Sequence, residues 1–286
     1  MSNLLGRIFL IGALCLMVLG VAKAMDPQVV KLHKEALYNV VLVDVGNGSG
    51  SGTVVYSQEV DGEWGTYILT NHHVVSSLIR VEEVWDGRVG KNIKVERRGR
   101  LEVRWFQYND YSKAVGNTGR AAEIVAYDKA KDLALLRLVD HERGVDSVAA
   151  LFPRDATAHL AEQVWAVGAG LGRPPYVSMG VINLLEVIKE GQPYVMTSTP
   201  IIWGNSGGAL FRYSAERDRF ELIGVPNQIE IQGIGWTPIV LNNMAFSVPM
   251  DTVYKFFDEQ CYSPVVGQDF VEQCESLGKL KPPAKE

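Results

Sequence analysis

The chain has 286 residues, 47% of them hydrophobic and 21% charged, and a formal charge of −5. This is ordinary globular composition, enough for one large domain or two small ones. The acidic balance gives no reason to expect nucleic-acid binding, and the dispersed glycines and prolines exclude a low-complexity chain.

Residues 1–24 are of a different material. Arg7 precedes the apolar run Ile8–Val21, and Ala22-Lys23-Ala24 follows. A basic start, a greasy core and an A-x-A end read as a secretory signal cleaved near Ala24. The run has 14 residues, short of the ~20 that a spanning helix needs. An uncleaved membrane anchor is the competing reading. An exported chain sits where disulfides persist, so Cys261 and Cys274 read as one bridge closing a short loop, with two free thiols as the alternative.

Pro27 to Tyr38 reads as a short amphipathic helix with Asp26 as its cap and Pro27 in its first turn. The period then changes to that of strands. Val40–Val43, Thr53–Tyr56, Tyr67–Thr70, Leu101–Trp105, Glu123–Tyr127 and Leu133–Val139 are short, β-branched or aromatic, and bounded by turn residues. A second series runs through Gln163–Val167, Val177–Leu185, Tyr194–Met196, Ala209–Phe211, Phe220–Val225 and Ala245–Val248. A polar stretch at Asp140–Asp155 separates the two. Six strands either side of a linker predict two antiparallel barrels or sandwiches. Asp251–Glu259 reads as a terminal helix and Lys279–Glu286 as a frayed end. The glycine-rich stretches Gly46–Gly52 and Gly168–Gly172 read as tight turns, because neither has the ending of a phosphate loop or opens a helix. The basic segment Arg88–Arg104 reads as a solvated hairpin, with a docking patch for an acidic partner as the alternative.

The sharpest motif is Gly204-Asn205-Ser206-Gly207-Gly208. A serine hydroxyl needs a base to become a nucleophile. Glycines around it permit a tight turn and let backbone N–H groups converge where an oxyanion would form. A plain turn would use the same residue types. The motif also fits the Gly-x-Ser-x-Gly elbow of α/β-hydrolases, but that fold needs its histidine after the serine. His33, His72, His73, His141 and His159 all precede Ser206. What remains is the order His, Asp, Ser. Asp132 stands at the head of the apolar strand Leu133–Leu138, where a half-buried carboxylate can orient an imidazole. Asp128 is its rival, on a polar turn with Lys129 and Lys131.

Thr70-Asn71-His72-His73-Val74, Asp132-Leu133-Ala134-Leu135-Leu136 and Gly204-Asn205-Ser206-Gly207-Gly208 resemble the three signature blocks of chymotrypsin-fold serine proteases, nearest to the bacterial HtrA/DegP type. Gly50–Val54 and Glu221–Val225 match that type as well, and the resemblance covers Val40 to Phe257. It implies an all-β chain of two six-stranded antiparallel β-barrels, with short N- and C-terminal helices. The expected division is a signal at 1–24, the first helix and barrel at 25–148, the second barrel and helix at 149–260, and a tail at 261–286. No PDZ domain follows in these residues, so regulation through one is not implied.

By the same resemblance the catalytic residues are His73, Asp132 and Ser206, with His72 pointing away. The oxyanion donors are the amides of Gly204 and Ser206. The primary substrate pocket falls at Pro200, Ile201 and Ile202, walled by Asn227, Gln228, Ile229 and Ala245. No acid lies there, so a small or medium apolar side chain fits better than Lys or Arg. Asn205 occupies the place of the aspartate that pairs with a freshly cut amino terminus in trypsin-like zymogens, which implies no activation of that kind. The expected activity is that of a serine endopeptidase on protein or peptide substrates, needing no cofactor and no metal. A peptide-binding pseudoprotease and an ester hydrolase are the alternatives. Oligomeric state is not legible.

Overall fold

A computed structural model describes residues 25–234 and 237–266. The expected signal, Cys274 and the tail from residue 267 lie outside the described residues.

Helix α1 (Pro27–Glu35) starts where the Asp26 carboxylate accepts the Gln28 amide, at 2.9 Å. It ends three residues before the expected Tyr38. Asn39 folds its side-chain amide back onto the Glu35 carbonyl, at 2.6 Å, and the chain tightens into a 3-10 turn at Leu37–Asn39.

Six strands close the first barrel: β1 (Val40–Asp44), β2 (Ser49–Val60), β3 (Glu63–Thr70), β6 (Arg100–Asn109), β7 (Lys113–Asp128) and β8 (Leu133–Leu138). Their order around the wall is β1-β2-β3-β8-β7-β6. The second barrel holds β9 (Gln163–Gly168), β10 (Tyr176–Lys189), β11 (Gln192–Thr197), β12 (Ala209–Ser214), β13 (Arg219–Ile234) and β14 (Thr237–Pro249), in the order β10-β11-β14-β13-β12-β9. Full closure leaves a barrel no continuous free edge. Two short turns set register: Asp61-Gly62 joins β2 to β3 and Glu190-Gly191 joins β10 to β11. Both pairs have left-handed backbones, as a two-residue hairpin with right-handed strand twist requires.

β8 explains its own sequence. Ala134, Leu136 and Leu138 point into the first barrel beside Val41, Val43, Val54 and Ile68. Leu133 and Leu135 point outward, into the cluster that continues through the second barrel. A strand buried on both faces reads as an unbroken apolar run. The resulting layer between barrels leaves the ends of β3 and β8 beside the second barrel.

Three expectations need correction. The glycine-rich stretch at 46–52 is a turn only in its first half, for Ser49 to Gly52 pair with β1 as the start of β2. The basic segment divides. Its first part belongs to a separate hairpin of β4 (Ile79–Asp86) and β5 (Lys91–Arg98), closed at the base where the Gly99 amide donates to the Leu78 carbonyl, at 2.8 Å. Arg100 to Arg104 belong to the barrel wall. Finally, β13 and β14 run well past the expected Phe220–Val225 and Ala245–Val248, forming a long ribbon. The terminal helix α3 (Met250–Glu259) lies where expected; α2 is the single turn His72–Val75.

Candidate active site

The first barrel presents an imidazole and a carboxylate. β3 stops at Thr70, Asn71 turns the chain, and α2 carries both histidines. Instead of capping this helix, the Asn71 side-chain amide donates to the Asp132 carbonyl, at 2.8 Å. Asp132 has φ 51°, a left-handed conformation that aspartate tolerates better than most residues and that re-aims its side chain ahead of β8. Its carboxylate grips His73 twice: Oδ1 accepts the His73 backbone amide at 2.8 Å, and Oδ2 lies 2.6 Å from Nδ1. A carboxylate only accepts, so Nδ1 carries the hydrogen and Nε2 of the neutral ring is left with a free lone pair.

His72, one residue earlier, goes the other way. Its ring packs 5.2 Å from that of Tyr127, and burial lowers its pKa. Asp128 spends its carboxylate on the Ala130 and Lys131 amides and on Lys131 Nζ. Burial would raise its pKa, but those bonds outweigh it and hold the group below the usual range. It takes no part in the site.

The second barrel presents the serine. Between β11 and β12 the chain makes two turns, closed by Asn205 N–H on the Ile202 carbonyl and Gly208 N–H on the Asn205 carbonyl, each at 3.0 Å. Gly204 and Gly207 have φ +95° and +82°, and a Cβ at Gly207 would collide with Thr70 Oγ1 and the Ser51 carbonyl. The glycines are therefore dictated by conformation and by close approach. The Trp203 carbonyl accepts Leu171 N–H at 2.8 Å. In a trans peptide the N–H lies opposite the C=O, so Gly204 N–H faces away from Leu171. Among the described residues, neither the Gly204 nor the Ser206 amide has an acceptor. Two unspent donors flank the hydroxyl.

The Ser206 hydroxyl itself donates to the Asn227 carbonyl, at 3.1 Å. Among the described residues it makes no hydrogen bond with His73. Asn227 thus joins both halves, because its side-chain amide donates to Asp132 Oδ2 at 2.6 Å. The sequence reading placed Asn227 in a pocket wall and missed this contact, which spans 95 positions.

Ser51 is the second residue missed. Its Oγ accepts Ala169 N–H at 2.7 Å and donates to the Gly204 carbonyl at 2.6 Å. Its amide donates to the Ser206 carbonyl at 2.8 Å, and its carbonyl accepts the Thr70 hydroxyl at 2.7 Å. It lies within the Gly50–Val54 block, the one signal in the sequence that could have found it.

Asn205 is buried, and its Oδ1 accepts Ile202 N–H at 3.1 Å and the Tyr176 hydroxyl at 3.2 Å. Of the expected pocket residues, Ile201 and Ala245 are buried, Pro200 is exposed, and Ile202, Asn227, Gln228 and Ile229 are half-buried. Ala245 stands in register between Thr197 and Ile229 across three strands, so these share one face. Cys261 is buried; its expected partner Cys274 is outside the described residues.

Two closed antiparallel barrels, with an Asp-held imidazole on one and a glycine-cradled serine on the other, define the architecture of a double-barrel serine peptidase. The chain matches the trypsin-like peptidase domain family over residues 50–225 and belongs to it. It is similar to the probable periplasmic serine endoprotease DegP-like of Pseudomonas fluorescens, 24% identical over 205 residues that cover 71% of this chain and 33% of that protein. It is also similar to the magnetosome formation protease MamE of Magnetospirillum gryphiswaldense, at 30% identity over 56% of this chain and 17% of that one. The chain spans about a third of the length of the DegP-like relatives. Among solved structures, the fold resembles the serine endoprotease from Yersinia pestis, with a TM-score of 0.53 and 21% identity over 81% of this chain and 66% of that one. An HtrA-type protease solved with a tripeptide gives a TM-score of 0.55 and 20% identity over 87% of this chain and 72% of that one.

Proposed function

We propose that this chain is a serine endopeptidase in which Ser206 attacks the peptide carbonyl, His73 is the base and Asp132 orients the imidazole. The observation that carries this reading is the double hydrogen bond from His73 to Asp132, which leaves Nε2 free as a base. A substrate N–H arriving at the Asn227 carbonyl displaces the Ser206 hydroxyl, which turns to His73 by a side-chain rotation. Oγ then bonds to the substrate carbon while its proton passes to Nε2. The Gly204 and Ser206 amides receive the oxyanion, and Asp132 stabilises the imidazolium. His73 returns the proton to the leaving amine, and water, deprotonated by the same nitrogen, releases the acyl group. The preferred residue before the scissile bond is small or medium and apolar, because Ala245 and Ile229 line the wall and no acid awaits Lys or Arg. Asn205 is held within its own domain by Ile202 and Tyr176, which supports a site that needs no freshly cut amino terminus.

A fluorophosphonate probe tests the proposal: labelling at Ser206, absent in Ser206→Ala, is expected, and an unlabelled native chain would overturn it. One observation favours a second reading. The serine hydroxyl rests on Asn227 rather than on His73, which suits a pseudoprotease that binds peptides without cutting them; that reading requires no labelling and no turnover. Cleavage of esters but not of peptides would assign the chain to ester hydrolysis instead. A peptide library showing strict cleavage after Arg would refute the apolar preference.

Export to the periplasm or beyond, with the signal removed near Ala24, fits the leader and the periplasmic relatives. Mass spectrometry of the exported protein should give an amino terminus at Met25; retention of residues 1–24 would indicate a membrane anchor.

A further inference from the structure

Asp132 is aimed by a turn, and a side chain that the proposed chemistry does not use holds that turn. Asp128 stands in register with Leu133 across β7 and β8, so residues 129–132 alone connect the two strands. Within the turn Asp132 has a left-handed backbone. Such a conformation persists where its surroundings over-determine it. On one side Leu133 is buried in the core that continues through the second barrel, and Asn71 holds the Asp132 carbonyl. On the other side the constraint is Lys131.

The two lysines of the turn differ. Lys129 is exposed and makes no ion pair among the described residues. The Lys131 side chain is 17% exposed, and its ammonium lies between two carboxylates, 2.8 Å from Asp128 Oδ2 and 2.6 Å from Glu259 Oε2. Asp128 Oδ1 accepts the Ala130 and Lys131 amides as well. One carboxylate therefore closes the turn through its backbone and through a side chain together. Burial works against the ammonium, but the bonds to both acids outweigh it and hold its pKa above the ordinary value.

Glu259 gives this clamp a fixed end. It is the last residue of α3, a helix that packs on β13 and β14 and whose Phe256 and Phe257 are fully buried. The preceding Asp258 is gripped by Arg154 at 2.8 and 3.0 Å and by the Ser263 hydroxyl at 2.8 Å. The helix end cannot swing without breaking those charge-assisted bonds. Among the described residues, neither Lys131 nor Glu259 bonds to His73 or Ser206, so an influence on either passes through Asp132.

We propose that Lys131 is a positioning residue: its ammonium, clamped between Asp128 and Glu259, fixes the turn that presents the Asp132 carboxylate to His73, with α3 as the anchor. This rests on the proposed peptidase reading and deepens it. The rival is a staple that adds stability and aims nothing. Glu259 is 53% exposed, and an ion pair that solvent reaches contributes little to stability. The two roles differ in what they move.

Three variants of the full chain separate them. Lys131→Met keeps the apolar stem and removes the ammonium. Glu259→Gln keeps the Asp128 contact and weakens only the tie to α3. Lys129→Met removes a charge from the same turn and no bond. The low-field proton resonance of His73 Nδ1 reports the 2.6 Å contact with Asp132 without turnover. It should move upfield in Lys131→Met, less so in Glu259→Gln, and stay in place in Lys129→Met. The fluorophosphonate labelling rate should fall about tenfold, fall about threefold and hold steady in the same order, since a small misplacement of a catalytic group is costly. An unmoved resonance in Lys131→Met would overturn the inference and leave a staple. An equal movement in Lys129→Met would overturn it in favour of charge acting through space. If Lys131→Met does not fold, Glu259→Gln decides, because its side chain is half exposed. Labelling of the native chain keeps the two proposals apart. A labelled native chain whose resonance ignores Lys131→Met defeats the positioning role alone; an unlabelled one whose resonance moves defeats the peptidase reading alone.

Discussion

At the scale of single residues, Asn227 does two things with one side chain and one carbonyl. Its amide satisfies the same Asp132 oxygen that holds His73 Nδ1, and its carbonyl parks the serine hydroxyl. A bond to a charged acceptor is worth about 1.5–3 kcal/mol. Asn227→Ala keeps the carbonyl and removes the amide, so kcat should fall about tenfold or more while KM changes little. Steady-state kinetics on a short peptide would check this; an equal rise in KM would make Asn227 a substrate contact instead. His72→Ala is the control, and activity within about threefold of the native chain is expected, since its ring lies on Tyr127. The pairing of His73 with Asp132 was legible because serine chemistry needs its side chains in a small set of orders. Asn227 and Ser51 were not: asparagine and serine occur in every turn, and only folding brings Asn227 to Asp132 or Ser51 to Gly204.

At the scale of elements, the core of each strand was readable from apolar alternation, whereas strand ends were not. Burial writes the pattern into a sequence, and the ribbon at β13–β14 and the hairpin at β4–β5 stand clear of both cores, with Trp85 and Ile231 exposed. The start of β13 carries a stability test. The Glu221 side chain is 0% exposed and meets Arg217 at 2.5 Å and Arg219 at 3.2 Å, with Arg212 Nε at 3.6 Å. Burial would raise its pKa, but the hydrogen bonds from Arg217 and Arg219 outweigh it and bring it below the ordinary 4.5. A lowered folded pKa means stability that is complete above 4.5 and lost as pH falls through the folded value. Glu221→Gln should cost about 2–3 kcal/mol at neutral pH, less than a fully buried pair because Arg217 and Arg219 reach solvent. It should also flatten the acid limb of the stability curve. Urea unfolding at pH 7 and pH 4 would measure both; parallel curves for the two proteins would show that another carboxylate governs acid unfolding.

At the scale of the whole molecule, the question is how two barrels hold one site in register. Apolar packing between them is extensive but undirected, for greasy surfaces slide at little cost. Direction comes from Ser51, on the first barrel, whose hydroxyl and amide reach the Gly204 and Ser206 carbonyls of the second. Its carbonyl is held in turn by Thr70, three residues before His73. A displacement of one barrel on the other is therefore opposed beside Ser206 and His73. Ser51→Ala would strand the Ala169 N–H and the Gly204 C=O without their present partner, at a cost of about 2–3 kcal/mol in unfolding free energy. A purely structural role would stop there. If Ser51 also fixes the oxyanion loop, the fluorophosphonate labelling rate of the still-folded variant should fall about tenfold, since a displaced donor is worth little to an oxyanion. Urea unfolding and labelling kinetics on the same preparation separate the two effects. An unchanged labelling rate beside a lowered stability would mean that Ser51 joins the barrels without aiming the loop.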